Sequence, residues 1–266
     1  MQREGENTQG RRVHLRLLGC WELRVSGVLV ELGGREQRLL ALLALHGRRS
    51  RAYVAGTLWP DTTEKRAQTS LRTAVMRSRQ AVEGILDAGR TTVALAPGIG
   101  VDVHELRRLA ESTDVPSLAP RATLAVMAAG DLLPGWYDDW VIFERERLQH
   151  LRLRALEALA EAALLRGRAD LALEAALEAI AVEPLRESGH LLVVRAHLLA
   201  GNRTAAVREY RIYRERLARE LGIAPSAGLE ELLRSVLPPQ RDPRRAGGAR
   251  APRPPQPTAV RRRPGP

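Results

Sequence analysis

Cysteine is nearly absent from this 266-residue chain: Cys20 stands alone, so neither an intrachain disulfide nor a cysteine-built metal cage can form. A reducing, cytoplasmic setting fits that usage. No window approaches about 18 consecutive apolar residues, which excludes a membrane-spanning helix. The opening residues, Met1 to Arg12, are polar and lack the apolar stretch of a secretory signal. Lysine occurs once, and Lys65 follows Glu64 rather than the glycine that a phosphate-binding loop requires. Gly98-Ile99-Gly100 has no third glycine, and neither a nucleophile elbow nor a His-Glu-x-x-His pair occurs. An enzyme is therefore not expected, nor a cofactor or a metal. His190 and His197 share one helical face but lack a third ligand at useful spacing, and they read as packed or surface histidines.

What is present is arginine. The 42 basic residues outnumber 31 acidic ones, a net charge of +11, but the excess is uneven. Residues 1–110 carry a balance of +7 and residues 111–237 one of −3. The last 29 residues, Pro238 to Pro266, carry another +7, from eight Arg and one Asp, and nine of them are Pro. Such a segment cannot offset its ordering entropy by burial, so disorder is expected over 238–266. It reads as a solvated tail or as an accessory basic arm with non-specific phosphate attraction. Because Ala, Arg, Leu and Gly dominate throughout, the number of arginines says little, and their placement says more.

After a flexible opening over 1–12, His14–Leu17 and Trp21–Val25 alternate with period two, as does Val28–Leu32 more loosely. These predict short antiparallel strands. The period then changes. Arg35 to His46 carries Leu39, Leu40, Leu42, Leu43 and Leu45 and closes at Gly47, a buried helix with a glycine stop. A second helix is expected over Tyr53–Trp59, stopped by Pro60, and a third from about Lys65 to Val82. Arg90–Leu95 with the Pro97-Gly98 turn suggests a β-hairpin ending near Gly100-Val101-Asp102. From about Val103 the pattern is almost wholly helical, over 104–111, 119–130, 139–166, 170–182, 188–200, 204–221 and 226–237. The expected domains are 13–103 and 104–237.

On a helical wheel at about 100° per residue, Leu71, Val75, Ser78 and Val82 of the third helix form a core face, flanked by Ala74 and Ala81. The opposite face carries Arg66, Thr69, Thr73, Met76, Arg77 and Gln80, with Arg72 and Arg79 on its shoulders. Five basic residues and no acidic one lie between Lys65 and Val82. Thr, Gln and Arg at successive turns suit base edges and phosphates in the major groove, although a solvated amphipathic helix has the same look. Strands, three helices and a hairpin wing, with Arg90 at the start of the hairpin, make the winged form of the helix-turn-helix.

Leu39–Leu45, Leu58-Trp59-Pro60-Asp61 and Leu71–Arg79 resemble the N-terminal DNA-binding domain of the Streptomyces antibiotic regulatory proteins, itself similar to response-regulator effector domains. Ser78 departs from that family, which usually has Leu there. A hydroxyl on the core face costs about 1–3 kcal/mol unless it finds a carbonyl.

In the second half, Gly167–Ala172 and Gly201–Ala206 align at a 34-residue spacing, and the first runs on to Ala179 and Pro184, as in the second half of a tetratricopeptide repeat. The second copy puts Tyr210 and Tyr213 inside. Gly135–Phe143 holds four of the nine aromatics, a clasp between the first helices or else a ligand pocket. With Glu183–Glu187 and Glu220–Pro225, these segments resemble the bacterial transcriptional activator domain that follows the winged helix in the same family.

The fold expected is mainly α (α+β), a winged helix-turn-helix followed by an all-α tetratricopeptide-like domain. The resemblance implies a small stand-alone activator, without receiver or ATPase regions, of a secondary-metabolite gene cluster. It also implies binding to promoter direct repeats, self-association on those repeats and contact with RNA polymerase. Arg72, Arg77, Arg79 and Arg90 would hold phosphates beside Arg66, and Thr69, Thr73 and Gln80 would read bases. The competing reading is a tetratricopeptide-type adaptor whose winged helix is not used for DNA.

Overall fold

The computed structural model describes residues 12–111 and 120–234. In chain order its first half runs β1 (Val13–Arg16), β2 (Glu22–Val25), β3 (Val28–Leu29), α1 (Gly34–His46), β4 (Arg49–Ser50), α2 (Arg51–Leu58), α3 (Glu64–Ala81), β5 (Leu86–Ala88), β6 (Thr92–Leu95) and β7 (Gly100–Val101). The second half is helical: α4 (Asp102–Glu111), α5 (Pro120–Met127), α6 (Asp139–Leu165), α7 (Ala169–Val182), α8 (Glu187–Leu199), α9 (Arg203–Leu221) and α10 (Ala227–Arg234). The fold is mainly α with two small sheets. Residues 1–11, the end of the last expected helix at 235–237 and the tail 238–266 lie outside the described residues.

Period-two alternation decides the first sheet. Leu15, Leu23 and Val25 are buried, while His14 and Arg24 face outward and pair across the ladder. Ser26 and Gly27, both at positive φ, make the tight turn into β3. On the far side β7 lies parallel to β1, giving the order β3-β2-β1-β7. The three helices pack on one another and on a second sheet of order β4-β6-β5, while α4 packs on β1 and β7, and Leu39–Leu45 of α1 are wholly buried.

The wing differs from expectation. Its turn falls at residues 89–91, between β5 and β6, which places Arg90 at the tip rather than at the start of a strand. Pro97-Gly98 closes no hairpin and carries the chain across to β7 in the other sheet. Three residues of β5 are too few to display a period. The second helix also begins earlier than its apolar pattern, because the Ser50 hydroxyl oxygen accepts the Tyr53 N–H at 3.2 Å and caps it.

Ser78 is fully buried, and its hydroxyl has no hydrogen-bond partner among the described residues. Ser78→Ala removes that orphan and raises the free energy of unfolding by about 1 kcal/mol, read by urea denaturation. A loss of stability would show that the hydroxyl is paired in solution.

The winged region and the helices behind it share one core. The Asp102 carboxylate accepts from the Leu17 N–H at 2.9 Å, the Leu18 N–H at 2.8 Å and its neighbour Val103 at 2.8 Å. Leu18 bridges to Leu132, Gly19 N–H donates to the Asp131 carbonyl and Leu133 N–H to that of Leu17, each at 2.8 Å. No side chain fits at Gly19: a Cβ there would lie 2.9 Å from the Ala129 carbonyl oxygen. His104 meets the carbonyl of Ala44, Arg107 bonds that of Leu45 and the Glu144 carboxylate, and Arg38 pairs with Asp138.

Behind this joint, α6 to α9 pack as successive neighbours. Ala172, Ala175, Ala176 and Ala179 of α7 are all buried, and their small size brings the helices close. Gly167 and Gly201 take the same left-handed turn ahead of α7 and α9 (φ 71° and 74°), so the 34-residue repeat is structural. Of the two tyrosines expected inside, Tyr213 is buried, whereas Tyr210 is half-buried with Arg214 over its ring. Buried His190 meets Glu209 at 2.7 Å and the Pro184 carbonyl at 3.0 Å, and stacks on Tyr213. No metal-holding group of His, Cys, Asp and Glu occurs among the described residues. In the aromatic cluster Trp140 packs edge-on against His46, whereas Tyr137 and Phe143 face outward at 80% and 71% exposure. Among the described residues, 225–234, which include α10, belong to a separate unit.

Candidate nucleic-acid interface

Helix α3 is seated by Ala67, Leu71, Ala74, Val75 and Ser78, all buried. What remains outward is the set expected from the sequence: Arg66, Thr69, Arg72, Arg77, Arg79 and Gln80 are exposed and Thr73 is half-buried. Arg90 at the wing tip is exposed as well.

These residues do not share one state. The guanidinium groups of Arg66, Arg72, Arg77 and Arg90 have no hydrogen bond or ion pair with any described residue. That contrasts with Arg24, Arg38, Arg48, Arg107 and Arg186, each matched to a carboxylate. An exposed, unmatched guanidinium keeps its full field and its donor fork for a phosphate. Arg79 is different: its Nη2 donates to the carbonyls of Leu86 at 3.2 Å and Ala88 at 3.3 Å, tying α3 to β5. Its first task is to position the wing. The hydroxyls of Thr69 and Thr73 donate back to the carbonyls of Lys65 at 2.9 Å and Thr69 at 3.1 Å. Their lone pairs and methyl groups stay available outward, suited to accepting from an adenine or cytosine amino group.

The wing is braced from the other side by residues that the helical reading missed. Arg51 donates its backbone N–H to the Thr91 carbonyl at 2.9 Å and its Nε to that of Gly89 at 3.0 Å, gripping the turn around Arg90. Arg48 pairs with Asp87 on β5, and the Arg49 guanidinium lies 5.7 Å over the Tyr53 ring. Three arginines in four positions, 48 to 51, were the available signal, diluted by arginine elsewhere. Arg51, Arg72, Val75, Met76, Arg79 and Gln80 line an open groove of about 390 Å³ along α3.

At the end of α1, burial pushes the His46 imidazole below its ordinary pKa, against the pull of Glu144, with Arg49 and Arg107 adding to the depression. A neutral His46 beside Arg49 leaves the basic surface to the arginines.

Residues 101–237 match the bacterial transcriptional activator domain, which is just over half of the chain. The chain belongs to the Streptomyces antibiotic regulatory protein family. This family member is similar to the regulatory protein AfsR of Streptomyces coelicolor, with 31% identity over 240 residues covering 82% of the chain but only 23% of AfsR. The transcriptional regulatory protein MoaR1 of Mycobacterium tuberculosis is 25% identical over 248 residues, covering 85% of the chain and 79% of MoaR1. A solved structure of Mycobacterium tuberculosis EmbR in complex with a low-affinity phosphopeptide shares the fold, with a TM-score of 0.66 and 23% identity over 85% of this chain and 65% of that one. The curated relatives are transcriptional regulators. No helix among the described residues is long and apolar enough to cross a membrane.

Proposed function

We propose that the chain is a sequence-specific DNA-binding activator that switches on a secondary-metabolite gene cluster from direct repeats near promoters. The observation that carries the DNA reading is the set of exposed arginines without internal partners, Arg66, Arg72 and Arg77 on α3 and Arg90 on the wing tip. Set around Thr69, Thr73 and Gln80, they fit a helix in the major groove and a wing on the adjacent backbone. The family supports activation through contact with RNA polymerase by the helical half, and copies side by side on tandem repeats.

Gel shifts at graded salt, with duplexes from the gene's own promoter neighbourhood, test this. Arg90→Ala weakens every duplex alike and lowers the salt slope by about one, whereas Thr73→Ala alters which sequences are preferred. Equal, salt-independent losses for the two variants would sink this division of roles. Absence of duplex binding at any salt would favour the adaptor reading.

A further inference from the structure

Met76 is an apolar side chain on the outward face of α3. At about 100° per residue, the buried set Ala67, Leu71, Ala74, Val75 and Ser78 defines one direction on α3. Thr69, Met76 and Gln80 all lie within roughly 30° of the opposite one. Met76 is 51% exposed, the one large apolar side chain of α3 left in solvent, with Arg72 a turn before it and Gln80 a turn after. It lines the open groove together with Arg51, Arg72, Val75, Arg79 and Gln80. The charged and polar members of that lining suit phosphates and base edges, while Met76 adds an apolar, polarisable and conformationally adaptable group.

In the major groove one base presents an apolar methyl group, the C5-methyl of thymine, and the bases are otherwise told apart mainly by hydrogen-bond donors and acceptors. We propose that Met76 is a specificity-determining residue that reads a thymine methyl at the centre of the half-site, with Gln80 and Thr73 on the neighbouring bases. This rests on the DNA reading above. A methionine contributes no hydrogen bond, so it discriminates by apolar burial alone. Its preference is for thymine over cytosine and over uracil, the same base as thymine without its methyl group.

The experiment starts from the full chain and a pool of random duplexes, enriched by repeated binding, to give the preferred site. Each thymidine of that site is then replaced, one at a time, by 2′-deoxyuridine, which removes the methyl and leaves every hydrogen-bonding group. One dT→dU replacement weakens the wild-type chain about fourfold, the effect of leaving one methyl unburied. Met76→Ala binds the thymine-containing site about fourfold more weakly and is indifferent to that replacement, while Met76→Leu keeps the sensitivity. Met76 is exposed, so unchanged thermal stability of both variants accompanies the result. A preferred site with no uridine-sensitive position, or equal sensitivity in Met76→Ala, overturns the role of Met76 and leaves DNA binding standing. No enriched duplex at all overturns the DNA reading and this role together.

Discussion

Asp102→Ala lowers the free energy of unfolding by about 3 kcal/mol, the largest effect expected of any single substitution outside the apolar core. The carboxylate serves three backbone N–H groups at once, those of Leu17, Leu18 and Val103. Two of the three belong to the segment where β1 ends, and water reaches them poorly, because Leu17 and Leu18 are buried. Removing the carboxylate leaves donors unpaired in an apolar setting, and it also removes an anion from the first turn of α4, where the helix dipole favours one. Asp102→Asn keeps one acceptor oxygen and costs roughly half as much. Chemical denaturation of the full chain measures both. A cost below about 1 kcal/mol for the alanine variant would show that neighbouring groups or water replace the carboxylate.

The double substitution Arg72→Ala/Arg77→Ala weakens binding to the preferred duplex roughly 50-fold near 100 mM salt and lowers the salt slope by about two. Stability is unchanged, since neither guanidinium has an internal partner among the described residues. The pair is informative beside Arg79→Ala. Arg79 holds two carbonyls of β5, so its removal loosens the wing and lowers stability by about 1 kcal/mol, besides any loss of affinity. If Arg79→Ala left stability untouched and matched Arg72→Ala in salt dependence, Arg79 would be a phosphate contact instead of a brace.

Much of this architecture is legible in the sequence, for a specific reason. The strands β1 and β2 and the helices from α6 onward each bury one face over several turns or alternations, so their period survives in the residues themselves. Gly167 and Gly201 mark the repeat because a left-handed turn there favours glycine. Other features depend on partners far away in the chain. Asp102 lies 85 residues from Leu17, and nothing local marks it as the clamp between the two halves. The strand β5 is too short to show a period, so the alternation in the sequence points to the wing one strand later than it lies. On α3 the outward face was legible from the absence of acids. The distinction between free arginines and the wing-bracing Arg79 was not, because it depends on carbonyls that the fold brings within reach. Met76 stands on that face in the sequence too, but an exposed methionine carries no charge or hydrogen-bonding group to mark it.

The shared core between the winged region and the helices behind it has a consequence for the DNA-binding role proposed above. With the joint sewn by backbone pairing at residues 17–19 and 131–133, a helix α3 seated in the groove would set the direction of the helical half. Position along the duplex then becomes rotational phase. Moving a binding site by about 5 bp, half of a roughly 10.5-bp turn, swings the helical half to the opposite side of the DNA, and moving it by about 10 bp brings it back. Promoter output that rises and falls with that spacing would be the mark of a protein without a hinge.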